Sequence, residues 1–406
     1  MTPEHDNLDH TAPHAAERRS WLEHDERVRL WLCAPLDAAT TNALDRLRQL
    51  PDLRRMAVMP DVHPSADVCV GTVLATGGLV YPKAVGGDIG CGMATVACKP
   101  APLDALHDKR RRRVLEEFTA RIAILRRRQA DSAWSPHAPD PDALSDERLT
   151  KGANRDGLIQ LGTLGRGNHF LEVQADDEDR VWIMVHSGSR AMGQYVVDHH
   201  ARRAATAHGR SATRALGGRL LALDATSPEG LAYLQDHDWC VRYASANRRR
   251  LLEDASAILK RECGLAADWS TCIDVPHNFV RRESHGEDLI VHRKGAAPAD
   301  TGSLGVIPGS AGTFSVHVEG LGNTDALRSS SHNSDRVLSR ADAKRSVSGS
   351  KLRRQLEGVT HDERLMARLT DEAPSVYRDL RIVLEAQRDL VRVRRRLRPL
   401  ISYKGG

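Results

Sequence analysis

A chain of 406 residues with 40% hydrophobic and 28% charged residues can bury a sizeable core and is too apolar to stay unfolded; at ~150 residues per domain it holds one large domain or a few smaller ones. Aromatic residues make up only 4%, which excludes wide platforms for stacking single-stranded bases, so any nucleic-acid contact has to rest on charge and backbone groups. The net charge of +5 permits an anionic partner without requiring one.

No run of ~18 apolar residues occurs, and the N-terminus lacks an apolar stretch, so neither membrane insertion nor secretion is expected. The seven cysteines (Cys33, Cys69, Cys91, Cys98, Cys240, Cys263, Cys272) are odd in number and contain no CxxC pair. That argues against a disulfide framework and for a reducing, cytoplasmic location.

In chain order, residues 27–33 (RVRLWLC) alternate charged and apolar side chains as a strand does, and 56–59, 72–76, 93–98 and 181–185 are further short strands. Over 103–128, Leu115, Phe118, Ile122 and Leu125 recur at helical spacing beneath a basic face and predict one long amphipathic helix. Residues 131–156 are proline-rich and polar, the composition of a surface loop or excursion. Helix returns after His186 and again over 228–263, and 375–396 reads as another helix with Val376, Leu380, Val383, Leu384 and Val391 on one face. Between the last two, 289–318 has strand texture. The basic runs 109–113, 126–128, 248–250 and 394–396 read as solvated helix faces. With no repeat and no glycine-rich nucleotide fingerprint, the pattern gives an α+β fold, a single large layered domain over 1–406 with mixed β-sheets flanked by long helices.

The chemistry lies in scattered short stretches. GGDIGCGM (86–93) sets Asp88 and Cys91 three residues apart in a loop whose glycines allow sharp turns, so both side chains can face one ion. GRGNHFLE (165–172) offers His169, VWIMVHSGSR (181–190) ends a strand with His186 and adds Arg190 as a phosphate fork, and VPHNF adds His277 and Asn278. Each histidine alone is more often structural. Together with Asp88 and Cys91 they suffice for one four-coordinate ion, or for two ions sharing the thiolate, and two ions suit phosphoryl chemistry. Ligand softness by itself points to zinc. IPGSAGTFS (307–315) is either a plain turn or an anion-binding loop. In SSSHNSDRVLSR, a helix starting at His332 would align it with Arg336 and Arg340, making it a phosphorus nucleophile; a helix cap with exposed arginines is the alternative.

PDVH, DIGCG, LGTLGRGNHFLE, HSGSR, HNF, RKGA, IPGSAG and SHNSDRVLSR run in this order over 59–340, and YKGG closes the chain. In this set the chain resembles the RtcB family of GTP-dependent RNA ligases. The resemblance implies that His332 attacks the α-phosphorus of GTP to form a guanylyl-histidine, with two manganese ions held by Asp88, Cys91, His169, His186 and His277. RNA ends bearing a 2′,3′-cyclic phosphate or 3′-phosphate would then be joined to a 5′-hydroxyl end, as in tRNA splicing and RNA repair, by a monomer. It further implies that Asp61 orients His332, that Asn278 touches the GMP phosphate, and that Asn168, Glu172, Ser310, Ser315 and Lys404 recognise GMP, while Arg190, Arg336 and Arg340 bind phosphates.

The chain departs from the family where HGAGR becomes HNSDR: Asn333, Ser334 and Asp335 follow the nucleophile, and Asp335 brings a negative charge towards an incoming phosphate. The sequence therefore leaves two alternatives beside the ligase, a metal-dependent phosphoesterase and a non-catalytic RNA-end sensor.

Overall fold

A computed structural model describes residues 24–100, 103–127, 134–215, 220–366 and 369–405. Its strands are β1 (Val28–Leu30), β2 (Leu53–His63), β3 (Val70–Thr76), β4 (Leu79–Val80), β5 (Gly92–Cys98), β6 (Phe170–Asp176), β7 (Val181–Ser187), β8 (Leu223–Asp224), β9 (Ala267–Pro276), β10 (Asn278–Ser284), β11 (Asp288–Lys294), β12 (Ala296–Pro298), β13 (Leu304–Ile307), β14 (Ser315–Gly320), β15 (Ser329–Ser331) and β16 (Val391–Lys404). They form a seven-stranded sheet in the order β13-β14-β16-β6-β7-β5-β9, a five-stranded sheet in the order β1-β2-β3-β11-β10, and two small pairs, β12-β15 and β4-β8. Because the large sheet takes strands from 92 to 404, neither half of the chain can close a core alone, and the fold is α+β in one large domain, as expected.

The side-chain period of two sorts each strand of the large sheet into two faces. Leu171, Val173 and Ala175 of β6 join Ile183, Val185, Ala94 and Val96 against the helices Asp108–Arg121 and Pro228–Cys263. The opposite face carries Phe170, Met184, Trp182 and Met93, and in register with them the polar Glu172, Gln174 and His186. In the smaller sheet both faces are covered, which is why 56–59 is a continuous apolar run: Met56 and Val58 pack towards the helix Ala38–Arg48, Ala57 and Met59 towards Leu380 and Val383.

The helix Pro228–Cys263 is the longest described element and forms where the spacing places it. Ser227 caps its N-terminus by accepting from the Gly230 N–H, Pro228 stands in its first turn, and Gly264 ends it at φ +73°. It is not a simple apolar strut. Asn247 accepts from the Gly162 and Thr163 N–H groups and donates to Ser187 Oγ, while Arg248, 1% exposed, donates to the Gly90 and Ser187 carbonyls and pairs with Asp274. One helix face thus holds the loops that carry Asp88, Cys91 and His169 and the end of β7. Gly90 is required at this contact, because at φ +72° any Cβ would meet Val241 Cα at 2.8 Å.

Several expectations need correction. The basic run 248–250 is not a solvated face, since Arg248 is buried among carbonyls it satisfies. The helix expected over 103–128 is a short 3-10 turn at Leu103–Leu106 followed by Asp108–Arg121; it stops where Ile122 turns extended, leaving Leu125 outside and exposed. Within 131–156, residues 134–156 do not form a polar loop: Pro141–Ala143 and Glu147–Gly152 are helical turns, and Leu144 and Leu149 are buried. The largest error is 375–396. Only Leu380–Ala386 is α-helix, and 391–396 is the start of β16, so the 394–396 run lies on a strand. Val391, Val393 and Leu397 alternate with arginines in the manner of a strand, and the preceding helical spacing masked that change of period.

Replacing Arg248 by Met is expected to destabilise the fold by about 3–5 kcal/mol, since it strips the Gly90 and Ser187 carbonyls and Asp274 of a charged donor. A urea titration checks this, and an unchanged midpoint would show that the loops are held by other means.

Candidate metal centre and nucleophile

The order β6-β7-β5-β9 is antiparallel throughout, so starts and ends of neighbouring strands alternate along one sheet end. His169 immediately precedes β6, His186 is next to last in β7, Cys91 precedes β5 and His277 follows β9. Residues far apart in the chain therefore meet as a consequence of strand pairing. Asp88 joins them from the glycine loop.

Cys91 Sγ lies 3.4 Å from His169 Nε2 and 3.3 Å from His186 Nε2; His186 Nε2 is 3.2 Å from His277 Nε2, and Asp88 Oδ2 is 3.1 Å from His169 Nε2. These atoms fall into two overlapping groups, Cys91 with His186 and His277, and Asp88 with Cys91 and His169, each compact enough for one ion. Cys91 belongs to both, the arrangement required for two ions sharing a thiolate.

The donor set fits a cation for an electrostatic reason. The His186 Nδ1–H donates to the Asn168 carbonyl at 3.2 Å, so this ring turns an Nε2 lone pair inward, and His169 turns its Nε2 to the same place, with Nδ1 3.0 Å from the Leu164 carbonyl. Burial, with neighbouring histidines, holds His186 and His277 well below the usual imidazole range, and the Cys91 thiol is pushed well above its ordinary value by burial and then by Asp88. Burial would raise the Asp88 carboxyl, but His169, Cys91 and Arg190 outweigh it and hold it at about 2.

His332 follows β15, with its ring centroid 4.5 Å from that of His277. Asp61, at the end of β2 and fully buried, accepts at Oδ2 from His332 Nδ1 at 2.7 Å and from the backbone N–H groups of His332 and Asn333. Its partner is thus fixed in the tautomer with a free Nε2. The helix expected from His332 is absent: 332–339 is irregular and helix begins at Arg340. Backbone bonds to Asp61 fix the histidine in its place.

The remaining expected residues fall into three neighbourhoods. Asn168, Asn278, Arg336 and Arg340 line the same cleft of about 650 Å³ as Asp88, Cys91, His277 and His332; Asn278 donates to the Asp88 carbonyl and accepts from the Gly295 N–H. Glu172 lies two residues along β6 from the Phe170–His186 pair, on the same sheet face, bonded to Gln174 and Ser402; Gln174 continues to Ser315, which accepts from Gly309 N–H beside Ser310. Burial pushes Glu172 up to about 7 against the pull of Gln174, Ser402 and Lys404. The third neighbourhood is cationic, and its groups are already engaged. Glu372 receives Arg336 at 3.1 Å, Arg340 at 2.6 Å, Lys404 at 3.0 Å and the Tyr377 hydroxyl, and Asp371 receives Arg336 and Arg340. Arg190, at φ +56°, lies against His169 and Thr163.

Sequence reasoning missed Glu372, which sits in a DEAP stretch resembling a helix start, Tyr377 just after it, and Asn247 and Arg248, hidden in a helical run. It also passed over Lys294, quoted within RKGA; the amine is bonded to the Val68 carbonyl and Ser65 on the cleft wall. Asp335 does not point its charge at His332: it pairs with Arg378 and adopts φ +63°.

Since a metal needs the Cys91 thiolate, binding releases a proton and tightens as pH rises. Added Mn2+ at ~100 times its Kd is expected to stabilise the wild type by about 2.7 kcal/mol, more at higher pH, with most of that gain lost in Cys91→Ser and His186→Ala. A thermal shift that survives both substitutions would put the ion elsewhere.

The comparisons with known proteins agree with this geometry. The family described as "tRNA-splicing ligase RtcB" matches residues 43–405. The chain is 35% identical to RNA-splicing ligase RtcB1 of Escherichia coli strain ATCC 25922, covering 93% of this chain and 97% of that one, and 34% identical, with the same coverage, to RNA-splicing ligase RtcB of Escherichia coli strain K12. RNA-splicing ligase RtcB of Mycobacterium tuberculosis is 31% identical over 88% of this chain and 98% of its own. Cys91 and His332, distant in the chain but lining one cleft, lie within a match that spans nearly all of it, and the chain belongs to the RtcB family of ligases.

Proposed function

We propose that this protein is a cytoplasmic RNA ligase that uses GTP and manganese to join a 2′,3′-cyclic phosphate or 3′-phosphate end to a 5′-hydroxyl end through a guanylate on His332. The single observation that carries the reading is His332 itself: a buried imidazole, oriented by Asp61 with its Nε2 free, stands beside a convergent set of metal donors. The seven cysteines are all free, and among the described residues no helix is long and apolar enough to cross a membrane, both in keeping with the location.

In the first step the His332 Nε2 lone pair attacks the α-phosphorus, a P–N bond forms, and pyrophosphate leaves. Asp61 stabilises the imidazolium as charge develops, the role of the orienting carboxylate in hydrolase triads. Manganese held by Asp88, Cys91, His169, His186 and His277 would supply positive charge against the phosphate oxygens. Asn278 faces the site of the nucleotide phosphate. Arg336 lines the cleft and, with five donors, can hold Glu372 and still reach an anion; Arg340 and Arg190 extend the same basic surroundings. On the RNA, a cyclic phosphate is opened by water, the 3′-phosphate oxygen takes GMP from His332, and the 5′-hydroxyl then displaces GMP.

Glu172 supports guanine over adenine. An ionised carboxylate on this sheet face accepts from two adjacent donors on a guanine edge, with Ser310, Ser315, Asn168 and Lys404 around it, whereas adenine offers no such donor pair. Its buried carboxyl titrates near 7. Binding that needs the anion therefore strengthens as pH rises through about 7.

Three outcomes follow for measurement. Incubation with α-labelled GTP and Mn2+ leaves acid-labile label on the wild type and none on His332→Ala, and the rate of labelling falls about 10²–10⁴-fold in Asp61→Ala. GTP affinity rises across pH 7 in the wild type, and Glu172→Gln loses both the rise and the preference for GTP over ATP. Intact metal binding without any label on the wild type would favour a metal-dependent phosphoesterase instead.

A further inference from the structure

A second histidine opens on the cleft with a ring nitrogen unused. His63 is the last residue of β2, two after Asp61, and the strand period puts both on one side. Its Nδ1 lies 2.9 Å from the Asp61 carbonyl, which can only accept, so Nδ1 carries the proton and Nε2 a lone pair. The side chain is 30% exposed and lines the cleft beside Asn278, Lys294 and His332; none of the described hydrogen bonds involves Nε2. Asp61 therefore orients two imidazoles, His332 with its carboxylate and His63 with its main chain.

The two rings suit different steps. A neutral imidazole attacks phosphorus without losing a proton, whereas a hydroxyl that attacks phosphorus must give one up. We propose that His63 is the base of the sealing step. As the RNA 5′-oxygen bonds to the phosphorus of the guanylylated 3′-phosphate, its O–H bond breaks and the proton passes to His63 Nε2. The bond from that phosphorus to the GMP oxygen breaks, and GMP leaves with the electron pair. This assignment rests on the ligase reading above.

The surroundings match the role. Asp335 Oδ1 stands 3.7 Å from His63 Nδ1 and has no hydrogen-bond partner, while Arg378 holds Oδ2. This carboxylate, where the family pattern has glycine, is a positioning residue able to stabilise the imidazolium as it forms. The other groups acting on the ring are Asp61 on its own strand and His332 and Arg336 from the segment after β15; Lys294 from β11 and Asp37 and Cys33 from the segment after β1 line the same or the adjoining cleft. Burial, together with His332 and Arg336, outweighs Asp61 and holds the ring below its ordinary value, so it is neutral at neutral pH. Neither His63 nor Asp335 belongs to the metal-donor set.

The test separates the half-reactions on one preparation of full-length protein. Guanylylation is followed with α-labelled GTP and Mn2+, and sealing with RNA already carrying a 3′-guanylate and a 5′-hydroxyl strand. In His63→Ala, sealing is expected to slow about 10²-fold relative to guanylylation, its acid limb below pH ~6.5 to disappear, and added imidazole to restore part of the rate. His63→Gln, which can keep the bond to the Asp61 carbonyl, gives the same result without the risk of a collapsed strand end, and Asp335→Asn moves the wild-type acid limb to lower pH. Equal loss in both half-reactions, or an unchanged pH profile for sealing, overturns the proposal. A wild type that takes no guanylate overturns the ligase reading itself, whatever His63 does.

Discussion

To present Nε2 lone pairs from both His186 and His277 to one ion, the protein has to hold two imidazole nitrogens 3.2 Å apart in a buried site, with a thiol and a third imidazole close by. Uncompensated polar atoms in such surroundings cost several kcal/mol unless something positive lies between them. The fold has to hold this arrangement against its own repulsion. Strand pairing does most of that, by bringing ends of β6, β7, β5 and β9 to one edge. The long helix does the rest, with Asn247 and Arg248 bonded to the backbone of the ligand-bearing loops.

From this edge the site is built outward in two directions. Towards the smaller sheet, Asp61 holds His332 at Nδ1 on the wall of the cleft, leaving Nε2 free, and the same residue holds His63 through its carbonyl. Along the large sheet, Glu172, Gln174, Ser315 and Ser402 make a buried polar face on the side that carries His186. Glu372 closes the far end by gathering Arg336, Arg340 and Lys404 around one carboxylate, which Lys404, Arg340 and the Tyr377 hydroxyl hold at about 2 against the opposing effect of burial. Cations pre-assembled on an internal anion keep their geometry before any phosphate arrives, so less ordering remains to be done on binding.

Much of the site was legible because its residues lie in short motifs whose spacing has a chemical reason. Asp88 and Cys91 share a glycine loop, and His186 ends a strand whose apolar run is unmistakable. What failed was inference from helical spacing in arginine-rich segments. Arginine is neutral between helix and strand when its stem lies on a surface, so 391–396 offered only two valines to mark the change, and Arg248 looked like its solvated neighbours although it is buried. The alignment of His332 with Arg336 and Arg340 on a helix was wrong in mechanism but near in effect: Arg336 and Arg340 meet through Glu372, and both line the cleft that His332 faces. Glu372 itself gave no local sign, because a carboxylate that organises three distant cations is defined only by tertiary packing.

The most direct measurement is anomalous diffraction at the manganese edge from crystals grown with Mn2+ and a non-hydrolysable GTP analogue. The account predicts manganese between Cys91 and the imidazoles of His169, His186 and His277, with the α-phosphorus facing His332 Nε2. Manganese bound away from Cys91, or a nucleotide whose α-phosphorus lies out of reach of His332, would contradict it.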